Sequence, residues 1–150
     1  MQYYFAYGSN LNPARKHERT GEADDARVVV LEDYRLVFDK VPYQRKQKGG
    51  YANVVPCEGE VVWGVVYRCS DAALQVLDKY EGVHINQYER VATTVIDRSG
   101  DAIEAHVYLA LVRDELLLPR VDYLHHLITG AQHHLLPEDY IQFLQAHPTV

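Results

Sequence analysis

Short runs of strand-forming residues, separated by turn signals, limit the folds that this sequence can adopt. The predicted strands are the tyrosine-rich run before Gly8 and residues 27–38, 51–56, 59–69, 88–97 and 102–112. One helix interrupts the later strands, and no regular series of crossover helices separates them. The pattern therefore favours class α+β, with a small mixed β-barrel or strongly curved sheet of five to seven strands and flanking helices, over a doubly wound α/β fold.

Capping residues mark the first two predicted helices. Asn12 and Pro13 are typical of an N-cap and a first helical position, and the helix that they begin is expected to end at Gly21. Ser70 is a natural N-cap and Gly82 a natural C′ residue for the helix between them.

The second half of the chain predicts one tight turn and two more helices. The hairpin turn covers residues 98–101, where Gly100 can supply the unusual backbone conformation. Residues 119–146 form two helical pieces, and Pro137 is expected in the first turn of the second piece.

Length and charge restrict the class of protein. The 150 residues fit one domain, 1–150, and 47% of them are hydrophobic, which is enough for a core. The formal net charge of −6 argues against nucleic-acid binding, because proteins that bind the phosphate backbone carry a basic face. The first residues lack the basic segment of a signal peptide, and no run approaches the roughly 20 apolar residues that span a bilayer. We expect a soluble, cytoplasmic protein that binds neither nucleic acid nor membrane.

The opening run QYYFAYGSNL, residues 2–11, breaks into a tight loop at Gly8, Ser9 and Asn10. Gly8 can take a positive φ without steric cost, and Ser9 and Asn10 can satisfy local backbone groups with their side chains. Where a strand ends in such a loop, successive backbone N–H groups can form a receptor for a carboxylate or another anion. The same residues also fit an ordinary β-turn, so the loop alone does not define a function.

Glu81 is the most informative candidate for a catalytic group. Leu74 and Leu77 form an apolar stripe on the helix that follows Ser70, and position 81 continues that face. Desolvation in a partly apolar pocket would raise the pKa of the carboxyl group toward that of a useful general base. The alternative is a solvated glutamate at the helix end, although acids are unfavourable near the negative end of the helix dipole.

Other kinds of chemistry fit the sequence less well. The histidines that suggest a metal site are His125, His126, His133 and His134. They would form pairs about two turns apart on one helix, too far to bind one ion, and no zinc-type spacing occurs. The chain has no phosphate-binding loop or dinucleotide fingerprint, and Ser9 with His106 lacks the elbow and the acid of a serine hydrolase. We therefore expect neither a metal nor a cofactor.

Cys57 and Cys69 match no thiol motif, which suits a reducing compartment, and we expect both to be free. The predicted exposed loop that follows the 27–38 strand carries four positive charges with no acid between them: Lys40, Arg45, Lys46 and Lys48. Such runs are typical of a solvated face. The loop is also long enough to act as a mobile cover over an anionic substrate.

Two motifs together resemble the γ-glutamylcyclotransferase family. They are YFAYGSNL at residues 4–11 and LDKYEGV at residues 77–83, followed five residues later by Tyr88. GYANVVP and VVWGVVY, within residues 50–67, resemble the middle strands of the family, and residues 123–144 resemble its C-terminal helices. One departure is Pro119-Arg120, where many members have Pro-Ser, and it puts the finer choice of substrate in doubt.

The resemblance implies a small β-barrel enzyme that converts a γ-glutamyl amino acid, peptide or amine into 5-oxoproline and the free amine without a cofactor. It implies that Glu81 is the general acid/base, and that Tyr88 and Tyr123 lie at the site. The glutamyl group would be bound, largely through backbone, by the opening motif: Tyr4, Phe5, Ala6, Tyr7, Gly8, Ser9, Asn10 and Leu11.

Two other functions remain compatible with the sequence. One is a non-catalytic protein that binds a γ-glutamyl or similar acidic metabolite in the same pocket. The other is an interaction module that uses the histidine-rich C-terminal helices. The sequence also leaves open the oligomeric state and whether the leaving group is an amino acid, a peptide, a polyamine or an isopeptide fragment.

Overall fold

The computed structural model describes residues 1–21, 25–44 and 46–150, so Arg45 lies outside the described residues. The strands and helices of this part are β1 (Gln2–Ala6), α1 (Pro13–Thr20), β2 (Ala26–Lys40), β3 (Tyr51–Cys69), α2 (Asp71–Tyr80), β4 (Tyr88–Asp97), β5 (Ala102–Ala110), α3 (Val121–His133) and α4 (Glu138–Gln145). Two one-turn 3-10 helices lie at Ser9–Leu11 and Val83–Ile85. Among the helices of these residue ranges, none is long and apolar enough to cross a membrane.

The strands close into a barrel in the order β1-β3-β2-β4-β5. Neighbouring strands pair antiparallel, except that β1 and β5 close the barrel with a parallel pairing of Tyr4 and His106. The predicted α+β class, a small mixed barrel with flanking helices, is confirmed.

The two strands predicted at 51–56 and 59–69 are one strand, β3, and that prediction is wrong. β3 pairs with β2 on both sides of a bulge, where Asp33 has a φ of 62° and faces residues 57–60. The Asp33 carboxylate accepts a hydrogen bond from the Gly59 N–H at 3.0 Å. The polar residues that suggested a turn therefore lie in a bulge, across which strand pairing continues.

The ends of two other strands also differ from the prediction. β2 continues to Lys40, two residues past its expected end, while β5 ends at Ala110, two residues before its expected end. The extension of β2 changes the environment of Lys40, because a residue in a barrel strand faces either the core or the solvent.

The predicted caps are present, with one change. Ser70 Oγ accepts a hydrogen bond from the Ala73 N–H at 3.0 Å, and the Asn12 side chain caps α1. Gly82 and Gly100 take the expected positive φ values, 68° and 87°. Pro137 is the N-cap residue of α4 and precedes its first turn, so its predicted position was one residue too far into the helix.

The barrel interior and the inner faces of the helices share one hydrophobic core. Its members include Val29, Leu31, Val54, Val65 and Val107 from the strands, and Leu74, Leu77, Leu124 and Leu127 from the helices. Cys57 and Cys69 form no disulfide bond within the described residues, and Cys69 is buried in this core.

Helix α3 packs directly against the loop that follows β1. A Cβ atom at Gly130 would lie 2.2 Å from the backbone carbon of Leu11 and 2.4 Å from its oxygen. Leu11 is fully buried. The glycine therefore allows the helix to support the loop from behind at backbone contact distance.

Replacement of this glycine tests the contact. Gly130→Ala should lower the free energy of unfolding by about 1–3 kcal/mol, because the added methyl group overpacks the contact with Leu11. Urea denaturation measures the change. In a free helix the same substitution stabilises by about 1 kcal/mol, so a more stable variant would contradict the packing. His125→Ala, on the exposed face of the same helix, is the control and should shift stability by less than about 0.5 kcal/mol.

Candidate active site

A cavity of about 520 Å³ lies between the loop after β1, the end of α2 and the segment that follows β2. The predicted site residues in its lining are Tyr4, Phe5, Tyr7, Gly8, Ser9, Asn10, Glu81, Tyr88 and Tyr123. Two other predicted residues, Ala6 and Leu11, are fully buried and do not line the cavity. The fold thus brings the end of α2 to the opening loop, about seventy residues earlier in the chain.

Gly8 does not use a positive φ, and its lack of a side chain leaves room between neighbouring groups of the loop. Its φ is −105°, so the left-handed conformation that glycine permits is not used. A Cβ atom here would lie 3.3 Å from the Ala52 Cβ and 3.5 Å from the Tyr123 hydroxyl. Within the described part of the chain, the N–H groups of Gly8, Ser9 and Asn10 donate to no acceptor. These groups are available to a bound anion.

Side chains around the loop fix its position. The Ser9 hydroxyl accepts a hydrogen bond from Arg15 Nε at 3.0 Å, and the Asn10 carbonyl accepts one from the Tyr67 hydroxyl at 2.7 Å. The Asn10 amide donates to the Tyr4 hydroxyl at 3.0 Å. Each contact comes from a different part of the fold, so the loop is held in one arrangement before a ligand binds.

Glu81 ends α2 as its C-cap residue, and its backbone N–H donates to the Leu77 carbonyl. The left-handed Gly82 then turns the chain away. The Glu81 side chain is only 18% exposed, and its Oε1 lies 3.7 Å from Arg19 Nη1 of α1. The glutamate is therefore largely withdrawn from water beside one cation, instead of extending past the helix end into solvent.

Burial raises the pKa of the Glu81 carboxyl group, and the positive charges of Arg19, Lys40 and Arg15 oppose that rise. Burial is the larger effect, so the pKa lies above its ordinary value. A carboxylate with a raised pKa accepts a proton more readily at neutral pH than a solvated one does.

The buried tyrosines of the cavity fall into two groups. The hydroxyls of Tyr7 and Tyr88 donate to the backbone carbonyls of Tyr108 and Ala52, at 2.6 and 2.7 Å. In contrast, the hydroxyl of Tyr123 accepts a hydrogen bond from the Ala52 N–H, and the hydroxyl of Tyr4 accepts one from the Asn10 side-chain amide. Tyr4 and Tyr123 therefore keep their own protons for a bound group.

Burial also raises the pKa of these tyrosines, that of Tyr123 to about 12. Burial likewise raises the pKa of Tyr7 and Tyr88, and the Glu81 charge and neighbouring hydroxyls act in the same direction. All of them stay protonated at neutral pH and act as neutral hydrogen-bond donors.

Lys40 was expected in a solvated basic loop, and this prediction is wrong. The residue is 3% exposed and lines the cavity, because β2 extends far enough to carry it into the barrel. Its Nζ donates to the Val41 carbonyl at 2.5 Å and to Gln87 Oε1 at 2.7 Å. Lys46 and Lys48, from the same predicted loop, are exposed.

Several other polar residues of the lining were not predicted either, among them Arg15, Arg19 and Gln87. Arg15 and Arg19 stand four positions apart on α1, so they share one face of the helix that follows the loop. That spacing was a usable signal. Gln87, next to Tyr88, has no comparable spacing to another polar residue that would have pointed to the site.

The less favoured chemistries find no support in the geometry. The Ser9 hydroxyl is bonded to Arg15, while His106 contacts Arg90 and Gln2 and does not line the cavity. The C-terminal histidines also lie outside the lining. Over residues 1–21, 25–44 and 46–150, no group of three or more histidine, cysteine or acidic residues is arranged to hold a metal ion.

Comparison with known proteins agrees with this geometry. Residues 61–144 match the model of the AIG2-like family. The chain is 34% identical to the γ-glutamylcyclotransferases of Mus musculus and Homo sapiens over 145 residues, which is 95% of this chain and 77% of each relative. A solved structure of a γ-glutamyl cyclotransferase superposes with a TM-score of 0.90 at 30% identity, covering 99% of this chain and 89% of that chain.

The match to the family model identifies the chain as an AIG2-like protein. The chain belongs to the γ-glutamylcyclotransferase family, and the resemblance noted in its two motifs is confirmed.

The raised pKa of Glu81 predicts a pH-dependent effect on stability. The folded state binds the Glu81 proton more tightly than the unfolded state does, so ionisation of this group costs stability as the pH rises through the folded-state pKa. The melting temperature of Glu81→Gln relative to that of wild type should therefore increase as the pH is raised from 4 to 8. Thermal melts across this range measure the trend, with Glu89→Gln as the control for loss of an exposed carboxylate. If the melting temperature of Glu81→Gln relative to wild type fell as the pH rose, the conclusion that burial destabilises the ionised Glu81 carboxylate would be contradicted.

Proposed function

We propose that this chain is a γ-glutamylcyclotransferase that converts a γ-glutamyl amino acid, peptide or amine into 5-oxoproline and the free amine. Glu81 is its general acid/base, and the reaction uses no cofactor. The observation that carries the proposal is a desolvated carboxylate of raised pKa in the same cavity as a loop with unpaired N–H groups. The choice of reaction for this arrangement is supported by the membership of the γ-glutamylcyclotransferase family.

The glutamyl group is the part of the substrate that the loop after β1 would bind. The N–H groups of Gly8, Ser9 and Asn10 are available as donors, and Arg15 stands beside them through its bond to Ser9. A carboxylate bound to several N–H groups and a guanidinium is held by charge-assisted hydrogen bonds. We assign this place to the α-carboxylate of the glutamyl group.

The chemical step is an intramolecular transfer. The α-amino nitrogen attacks the γ-carbonyl carbon, closing a five-membered lactam ring, and the original γ-amide C–N bond breaks. Glu81 takes the proton that the attacking nitrogen loses and delivers a proton to the leaving nitrogen, so the step consumes no water. A folded substrate supplies much of the rate, because proximity in a well-oriented intramolecular reaction is worth roughly 7–11 kcal/mol.

Negative charge develops on the γ-carbonyl oxygen during the attack. The hydroxyl groups of Tyr4 and Tyr123 line the cavity, stay protonated and have protons to donate. Preorganised donors of this kind stabilise an oxyanion without reorganisation.

Loss of the base tests the assignment of Glu81. Glu81→Gln keeps the size of the side chain and removes its proton transfer, so kcat/KM for release of 5-oxoproline should fall by about 10²–10⁴-fold. Mass-spectrometric detection of 5-oxoproline from a panel of γ-glutamyl compounds provides the assay. Glu89→Gln, an exposed acid on β4, should retain wild-type activity.

Two outcomes would overturn this proposal. Turnover by Glu81→Gln at the wild-type rate would remove Glu81 from its role. A wild-type protein that is stabilised by γ-glutamyl compounds in thermal melts but releases no 5-oxoproline would instead be the non-catalytic binder. The cytoplasmic location and the single domain over residues 1–150 stay predictions.

A further inference from the structure

Lys40 is a buried cation that forms no close ion pair with a carboxylate of the described residues. Its two hydrogen-bond acceptors, the Val41 carbonyl and the Gln87 side-chain oxygen, are both neutral. Among residues 1–21, 25–44 and 46–150, no carboxylate lies within 4 Å of its Nζ, and the third N–H donor has no acceptor. Burial lowers the pKa of the Lys40 ammonium, and the charge of Glu81 opposes that change from beyond ion-pair distance. A buried ammonium without a close counter-ion is costly, so an anion that entered the cavity would stabilise its charged form.

Lys40 and the two arginines of the cavity belong to different walls. Arg15 and Arg19 come from α1, and Arg15 is bonded to the glutamyl-binding loop. Lys40 comes from the end of β2, where its ammonium lies 5.6 Å from the centre of the Tyr88 ring. Glu81 interacts electrostatically with both walls. The carboxylate that would exchange the reaction's protons therefore interacts with two cationic positions that come from different parts of the fold.

We propose that Lys40, held by Gln87, binds a carboxylate on the leaving half of the substrate and thereby selects γ-glutamyl amino acids or peptides over γ-glutamyl amines. This inference rests on the proposed function. A γ-glutamyl amino acid has two carboxylates, one on each side of the amide that breaks, and the cavity offers cationic positions on two different walls, α1 and the end of β2. The third N–H of Lys40 supplies the donor for the second carboxylate.

The charge of the cavity favours the same class of substrate. Its lining contains the cations Arg15, Arg19, Lys40 and Lys79, and Glu81 is its one carboxylate among the described residues. A leaving group with an added positive charge, such as a polyamine, would meet like charges at Lys40 in a site of low dielectric constant. Such a leaving group is disfavoured, whereas an added carboxylate is attracted.

Two substrates that differ in one group test the proposal. γ-Glutamylalanine and its C-terminal carboxamide share the glutamyl half, the scissile amide and the methyl side chain, and only the first has a leaving-group carboxylate. For the wild type, kcat/KM should be about 10–100-fold higher with the carboxylate, as expected for one charged hydrogen bond. Lys40→Met should remove most of this preference, because kcat/KM should fall much further for the carboxylate than for the carboxamide.

A second variant keeps the lysine and supplies an internal partner. Gln87→Glu places a carboxylate where Lys40 already has an acceptor, so the new ion pair should compete with the substrate and also reduce the preference. Lys46→Met, which removes an exposed positive charge of the neighbouring segment, is the matched control and should keep the wild-type ratio. Thermal melts confirm that each variant is folded.

The outcomes separate this inference from the proposed function. Equal loss of activity toward both substrates in Lys40→Met would mean that the lysine acts on the glutamyl half or through Glu81, and would overturn the assignment. An unchanged ratio in both Lys40→Met and Gln87→Glu would overturn it as well. Wild-type protein that released no 5-oxoproline from either compound would overturn the proposed function itself.

Discussion

The burial of Glu81 next to cations is the interaction on which the rest of the site depends. Its ion pair with Arg19 is loose, with Nη1 at 3.7 Å from Oε1, and burial outweighs the nearby positive charges in setting the pKa. A close bidentate pair with arginine would lower the pKa and weaken the base. The surrounding charges therefore hold the carboxylate in place while leaving it able to accept a proton.

The barrel makes this arrangement possible by fixing elements that are distant in sequence. The loop after β1 is held from behind by Gly130 of α3 against Leu11, and from the barrel by Tyr67. Ala52, at the start of β3, is bonded to tyrosines through both its N–H and its carbonyl. Because backbone contacts define these positions, the donors and the carboxylate keep their separation without a bound ligand.

Local signals in the sequence predict much of this fold and the centre of the site. Caps such as Ser70 and the apolar stripe that leads to Glu81 depend on neighbouring residues, and both are found in the structure. Lys40 was misassigned because β2 pairs with β3 beyond the apparent end of its pattern, which is a tertiary effect. The alternation of Leu36 and Phe38 does continue to position 40, so the signal was present but was outweighed by the basic residues that follow.

The protonation states of the lining separate the roles of its groups. Tyrosines with raised pKa values remain neutral donors through the physiological range, and the arginines remain charged. Neither group can exchange protons with the substrate at neutral pH. His84 and Lys40 also line the cavity, and the proposed mechanism assigns proton transfer to Glu81, the carboxylate of the lining within the described residues, because burial raises its pKa. The donors and cations are then left to recognise charge, whether it is already present on the substrate or develops during the reaction.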